Sequence, residues 1–208
     1  MVAPLLPGLR KVPAQARGWA RVDAILDAAA HLFTEQGYES TSMEAIAARA
    51  GTSIGSVYQF FEKKQDLFLA LAHRALEDVR AVAEELTGPV AEGLEWRQLV
   101  ELSVDGFVAW GKGSIRLSAV NANLQLYGLF EEADMALTRT LVDRAAQVLL
   151  QRLEHLDAEQ ARRIATMIVN TINTVMFFGS RSAPEEATTM VEEAKRMLVA
   201  YVGSYVAP

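Results

Sequence analysis

Apolar residues recur along this chain at the i, i+3, i+4, i+7 spacing of one helix face. No stretch sustains the period-two alternation that a half-buried strand needs. The spacing predicts a first helix over 19–36, with Val22, Ile25, Ala28, Ala29, Leu32 and Phe33 on its core face and Gly37 after it. Two short helices are predicted next. Thr41 and Glu44 stand at the spacing of a capping box, in which a hydroxyl and a carboxylate satisfy free N–H groups reciprocally. Met43, Ile46, Ala47 and Ala50 then form one apolar face, and Gly51 supplies the left-handed backbone on which helices often end. Ser53 is placed to cap the second short helix, whose Val57, Phe60 and Phe61 turn to a core. A fourth helix over 63–86 carries Phe68, Leu71, Ala72, Ala75, Leu76 and Val79, and Thr87-Gly88-Pro89 breaks it.

The second half is helical by the same criterion. Residues 95–111 put Trp96, Leu99, Val100, Ser103, Phe107 and Trp110 on one side, with Glu101 and Asp105 opposite. Residues 114–130 carry only one charge, Arg116, and so predict a helix buried on most sides. Its Asn121, Asn123 and Gln125 are either polar points in a ligand wall or amides satisfied by backbone. A helix over 132–156 follows, then one capped by Asp157 that runs to Gly179 with apolar residues on two faces. Pro184 suits the first turn of a last helix. The expected fold is all-α, with about nine helices. A flexible tail over 1–18 precedes a three-helix module over 19–62, and a larger helical domain over 63–208 completes the chain. In the tail Arg10, Lys11 and Arg17 either touch phosphates or a minor groove, or are simply solvated, which is the reading preferred here.

Composition narrows the chemistry. A chain of 208 residues, 51% hydrophobic, can bury a substantial core. The absence of cysteine excludes disulfides, thiolate metal sites and cysteine nucleophiles. The three histidines show no HExxH spacing, so no metal centre and no cofactor is expected. Net charge is −6, yet residues 1–66 hold seven basic and seven acidic side chains, leaving 13 and 19 in the remainder. The acidity therefore belongs to the larger domain. The N-terminal run has the wrong order of basic and apolar residues for export. The longest uncharged run, 164–180, is 17 residues long and contains Asn170 and Asn173, too short and too polar for a membrane span. A soluble, cytoplasmic protein is expected.

Ile54, Gly55, Ser56, Tyr58 and Gln59 are left facing outward on the second short helix. A helix capped by small residues, with an amide and a phenol on its free face, suits a DNA major groove. One competing motif exists: Gly51-Thr52-Ser53-Ile54-Gly55 matches G-x-S-x-G, the nucleophile elbow of hydrolases. That elbow needs a strand before the serine, and here a helix former precedes it. The pairs Glu84-Glu85, Glu131-Glu132 and Glu185-Glu186 diverge on a helix surface and cannot act as paired acids. No catalytic constellation is found, and the protein is not expected to be an enzyme.

The segment 25–70 resembles the DNA-binding segment of the TetR (tetracycline-repressor-like) family. The resemblance rests on Leu32-Phe33, Gly37, Thr41-Ser42, Ile46-Ala47, Ala50-Gly51, Ser53, Gly55, Tyr58, Phe61 and Lys64. Lys63 departs from it, standing where that family often has a small helix-capping residue. The resemblance and the outward geometry together place Tyr58 and Lys64 on phosphates, joined by Thr41 or Ser42 and by Lys63. They place Ser53, Ile54, Gly55, Ser56 and Gln59 near base edges, with Gln59 suited to pair an adenine. The resemblance further implies a homodimer on a near-palindromic double-stranded DNA operator, released by a small-molecule effector. Phe107, Trp110, Asn121, Leu124, Tyr127, Phe130 and Met167 are the expected pocket residues. Ile168, Thr171, Val175, Val191, Ala194, Leu198 and Tyr201 are the expected dimer contacts. The alternative is a helical small-molecule-binding or scaffold protein that reads no DNA sequence.

Overall fold

The computed structural model describes residues 6–206. Its α-helices are α1 (Ala16–Gln36), α2 (Met43–Arg49), α3 (Ile54–Phe60), α4 (Lys64–Leu86), α5 (Trp96–Gly113), α6 (Ile115–Ala122), α7 (Glu131–Arg152), α8 (Ala158–Gly179) and α9 (Pro184–Gly203). Short 3₁₀ turns occur at Pro89–Ala91 and Leu124–Leu129, and no strand occurs among the described residues. The chain forms two compact units. One comprises residues up to Glu77 together with Ser114–Ala133, the other Asp78–Gly113 with Asp134 onward. The boundary expected near residue 62 thus falls inside the first unit.

The first unit is organised around aromatic packing. Phe33, Phe61 and Phe68 are wholly buried beside Ile25, Leu26 and Ile46. The Phe33 and Phe68 rings lie 5.8 Å apart, and Tyr38 meets Phe68 edge-on at 5.8 Å. Each such side chain contributes about 1.5–3 kcal/mol by leaving water, so the core needs no charged contact to form. Caps then fix where the helices begin. Ser42, not Thr41, caps α2: its Oγ accepts the Ala45 N–H at 3.1 Å. Thr41 is buried instead, its hydroxyl donating to the Gly37 carbonyl at 2.8 Å. Ser53 caps α3 through the Ser56 N–H, as its position predicts. Gly51, at φ +62°, makes the turn between α2 and α3 that a side-chain-bearing residue would adopt only under strain. At α4 the cap is supplied from the far side, because the Asp66 carboxylate accepts the Lys63 N–H at 3.2 Å.

Two expectations fail in this unit. The single helix expected over 114–130 is broken at Asn123, where the backbone leaves the helical region. The cause is tertiary. Asn123 is almost wholly buried; its Oδ1 accepts the Tyr38 N–H at 2.9 Å, and its Nδ2 donates to the Phe33 and Ala119 carbonyls at 3.3 and 2.8 Å. The amide sews the end of α6 to the turn after α1. Arg116 adds a 3.0 Å ion pair to Asp27 of α1.

The second failure is the flexible tail. Residues 1–5 lie outside the described residues, but Leu6 and Pro13 are buried, and the Arg10 N–H donates to the Phe60 carbonyl at 2.8 Å. Gly8, at φ +82°, lies so close to Asp66 that a Cβ would sit 2.0 Å from its carbonyl oxygen. Apolar anchoring at two points overrides the Pro/Gly punctuation.

The second unit packs the end of α4 with α5, α7, α8 and α9. Val104, Ile164, Leu198 and Val202 sit at its centre. Asp157 and Gln160 form a reciprocal capping box at α8. The expected dimer contacts are largely used up here. Ile168, Val175, Val191, Ala194 and Leu198 are buried within the unit, while Thr171 and Tyr201 are half-buried. Within the unit this apolar face meets α5 and the facing helix of the pair. The large apolar side chains left exposed on these two helices are Met167, Phe178 and Met197, at 47, 51 and 51% exposure. No helix among the described residues is long and apolar enough to cross a membrane.

Candidate nucleic-acid interface

α2 and α3 are each seven residues long and are held at their angle by the Gly51 turn. Their inner faces, Met43, Ile46 and Ala47 on one and Val57 and Phe60 on the other, are buried in the common core. The outer face of α3 is therefore presented, and Ile54, Gly55, Tyr58 and Gln59 are all exposed on it. Ser53 and Ser42 are exposed as well. Each caps a helix through its oxygen lone pair, so each hydroxyl proton stays free to donate. The Ser53 Oγ is thus a helix cap reached from α2 rather than from a strand, and the hydrolase elbow has no counterpart here.

Gly55 has no internal reason to be glycine. The nearest atom to a Cβ built there is the Ser53 Oγ at 4.0 Å. Glycine inside a helix costs about 0.5–1 kcal/mol relative to alanine, and nothing in the fold offsets that.

Three expected DNA contacts are placed otherwise. Ser56 is buried, at 9% exposure, and its hydroxyl has no hydrogen-bond partner among the described residues. The one-residue spacing from Val57 carries it toward the core. Thr41 is buried and bonded to Gly37. Lys64 donates to the carbonyls of Tyr38, Glu39 and Thr41 at 2.6, 3.2 and 2.8 Å. An ammonium has three donors, so all are committed to closing the turn before α2. The ammonium also lies 4.3 Å from the Tyr38 ring centre. Lys63 is exposed and forms no ion pair with the described residues.

Electrostatics reinforce the frame. Arg49 of α2 grips Glu35 of α1 with two bonds, at 2.6 and 2.8 Å. That hydrogen-bonded guanidinium holds the Glu35 carboxyl below its ordinary pKa. Burial raises the Tyr38 phenol, keeping it neutral beside the Lys64 ammonium.

Sequence reasoning undervalued one feature. Residues 1–22 contain no acidic side chain. Arg10, Lys11, Arg17 and Arg21 are all exposed, and none pairs with a carboxylate among the described residues. Lys11, Arg17 and Arg21 line an open groove of about 430 Å³ whose other wall includes Gln59 and Phe60. The cations thus adjoin the free end of α3. The legible signal was the four-residue step from Arg17 to Arg21 on one helix face.

The expected effector residues are divided between the two units. Phe107 lines a cavity of about 60 Å³ among α4, α5, α7 and α8. Asn121, Leu124, Tyr127 and Phe130 belong to the first unit. There Phe130 packs against Phe68 and Tyr127 at 6.4 and 5.2 Å. Met167 is exposed on α8, and Trp110, though half-buried, does not line that cavity. In the apolar run 114–130, burial against the first unit's core and burial around a ligand leave the same signature.

Comparison with known proteins agrees with this geometry. Residues 25–71 match the family described as bacterial regulatory proteins, tetR family, and residues 95–201 match the tetracyclin repressor-like C-terminal domain. The chain is 28% identical over 173 residues to the HTH-type transcriptional activator FasR of Mycolicibacterium smegmatis, spanning 81% of this chain and 76% of that protein. A TetR-family transcriptional regulator from Streptomyces coelicolor superposes with a TM-score of 0.65 at 30% identity, over 92% of this chain and all of the other. The regulator FadR of Bacillus subtilis, solved with stearoyl-CoA, shares the fold at a TM-score of 0.62 and 19% identity, over 85% of this chain and 97% of that one.

Proposed function

This chain belongs to the TetR family of bacterial transcriptional regulators, and from that membership we propose that it is a cytoplasmic, ligand-responsive repressor. It binds a near-palindromic operator as a homodimer and performs no catalysis. The observation that carries the DNA reading is Gly55, an exposed helical glycine the fold does not need, between the free faces of Ile54 and Gln59. A missing side chain there lets the α3 backbone approach base edges closely. Gln59 reads a base, with Ile54 and Ser53 beside it. Tyr58, Ser42 and Lys63 hold phosphates. The ordered arm extends this footprint: Arg10, Lys11, Arg17 and Arg21 pair with no carboxylate among the described residues, and they follow the backbone beyond Gln59.

Two reading heads related by a two-fold axis must stand about 34–36 Å apart, one turn of DNA, or a multiple of it. The outward faces of α8 and α9, marked by Met167, Phe178 and Met197, are the surface on which two copies meet. An effector in the second unit acts by binding the DNA-competent and DNA-incompetent conformers with different affinity. α4 contributes residues to both units and is the element through which that difference is felt.

Titration of the protein against its own upstream region at several salt concentrations tests this. Gln59→Ala lowers discrimination at one base pair by about 1–3 kcal/mol while leaving non-specific binding intact. Alanine at Arg10, Lys11, Arg17 and Arg21 makes log K fall less steeply with log salt, by about 0.9 in slope for each phosphate that is no longer neutralised. Equal affinity for operator and scrambled DNA sinks the repressor and leaves the helical binding protein.

A further inference from the structure

We propose that the second unit holds a binding site for a short organic monocarboxylate, anchored by Arg144; this rests on the reading that the unit takes an effector. Most of the cavity lined by Phe107 is walled by apolar side chains such as Leu86, Leu141, Ile168 and Ile172. Arg144 of α7 is its single charged lining residue. The arginine is half-buried, and no carboxylate among the described residues pairs with it.

Its local bonding fixes the guanidinium without satisfying it. The Thr87 hydroxyl donates to the Ala83 carbonyl at 2.6 Å, so its free lone pair accepts the Arg144 Nε–H. Both terminal nitrogens, with four N–H donors, engage no acceptor among the described residues. A guanidinium fork held at Nε presents the paired donors that match a carboxylate. Ser103 and Asn173 line the same cavity, and neither side chain hydrogen-bonds another described residue.

A second cavity of about 60 Å³ adjoins the first and shares Leu86, Thr87, Ser103, Ala145 and Ile168 as walls. Its only charged lining residue is Arg152, whose guanidinium is committed to the Ala91 and Leu94 carbonyls at 2.9 and 3.3 Å. Neither cavity is lined by an acid, although residues 67–208 carry 19 of them against 13 bases. Nearby acids are turned elsewhere: Asp105 of α5 pairs with Lys195, and Asp143 of α7 with Arg162. An uncharged ligand leaves the Arg144 charge unmatched; a cation is repelled. Both cavities are small, so a short carboxylate suits them better than a long-chain one. The head group lies on Arg144 and the chain runs past Ser103 toward Trp96, which lines the second cavity.

The test uses the full-length protein with sodium hexanoate, and with hexanamide and hexylammonium as isosteric neutral and cationic controls. Thermal unfolding and tryptophan emission are read first. Hexanoate at saturating concentration raises Tm by about 2–4 °C and shifts the emission, and the two controls do neither. Arg144→Met, which keeps the apolar stem and removes the guanidinium, abolishes both responses, and Arg144→Lys retains part of them. If Arg144→Met does not fold, Ile172→Trp, which fills the cavity and leaves Arg144 in place, must abolish them.

Equal stabilisation by hexanamide overturns the proposal. So does unaltered hexanoate binding by Arg144→Met, or no response to any straight-chain carboxylate from butanoate to octanoate. Operator binding separates the two readings. Hexanoate that binds through Arg144 but leaves operator affinity unchanged supports the site and defeats the effector reading. A neutral compound that releases operator equally from wild type and Arg144→Met supports the effector reading and defeats the carboxylate site.

Discussion

Phe178→Glu combined with Met197→Glu converts the protein to a monomer and weakens operator binding by about a thousandfold. Both side chains are half-exposed on α8 and α9, and neither belongs to the core of the second unit. Each substitution would place a carboxylate on an apolar face that a second copy must desolvate, and a two-fold contact doubles the number of buried charges. Separated protomers retain one reading head each. Specific DNA complexes typically bind about 10³–10⁷ times tighter than non-specific ones, and a lone head keeps little of that margin. Light scattering after size exclusion and anisotropy with labelled operator measure the two effects together. Helical content by circular dichroism should be unchanged, because the replaced side chains make little of the internal packing. Leu198→Ala is the informative contrast. That residue is buried in its own protomer, so its truncation lowers stability by about 2–5 kcal/mol through a cavity. A double glutamate variant that remains dimeric with full operator affinity would remove this face from consideration.

Asn123→Ala destabilises the first unit by about 2–5 kcal/mol. The native amide satisfies the Tyr38 N–H and two carbonyls in a buried setting. Truncation removes three bonds at once, and a buried polar group left unsatisfied costs about 1–3 kcal/mol. Denaturant titration reads the loss as a lower midpoint at unchanged slope. Gln125→Ala, two residues on at an exposed position, should move stability by no more than about 0.5 kcal/mol. Operator binding also falls in the Asn123 variant, since the turn it holds leads into Lys64's carbonyl cluster and the start of α2. A loss below about 1 kcal/mol would mean that water replaces the amide, and that α6 is attached by packing alone.

Much of the DNA face was legible in the chain itself. Seven-residue helices, the glycine between them and the serine cap of α3 are set by neighbours a few positions away, and the outward Ile54, Tyr58 and Gln59 follow from helical spacing. Lys64 shows the limit. A lysine at a helix start beside a reading helix looks like a phosphate contact, yet three carbonyls more than 20 residues earlier in the chain claim its donors. Ser56 shows another: a face deduced from spacing alone is uncertain by one position, which is enough to bury a hydroxyl.

The all-α class, the ends of helices such as α3 and α8 and the family were determined by the sequence, because capping, periodicity and glycine turns act over a handful of residues. Which apolar face meets which was decided only in three dimensions. Buried residues of the α8 and α9 stripe pack within their own unit, α6 packs on α1, and the N-terminal arm is pinned through Leu6 and Pro13. The physical reason is that hydrophobic burial is non-directional. A stripe of side chains states that it must leave water, and only the folded chain supplies what covers it.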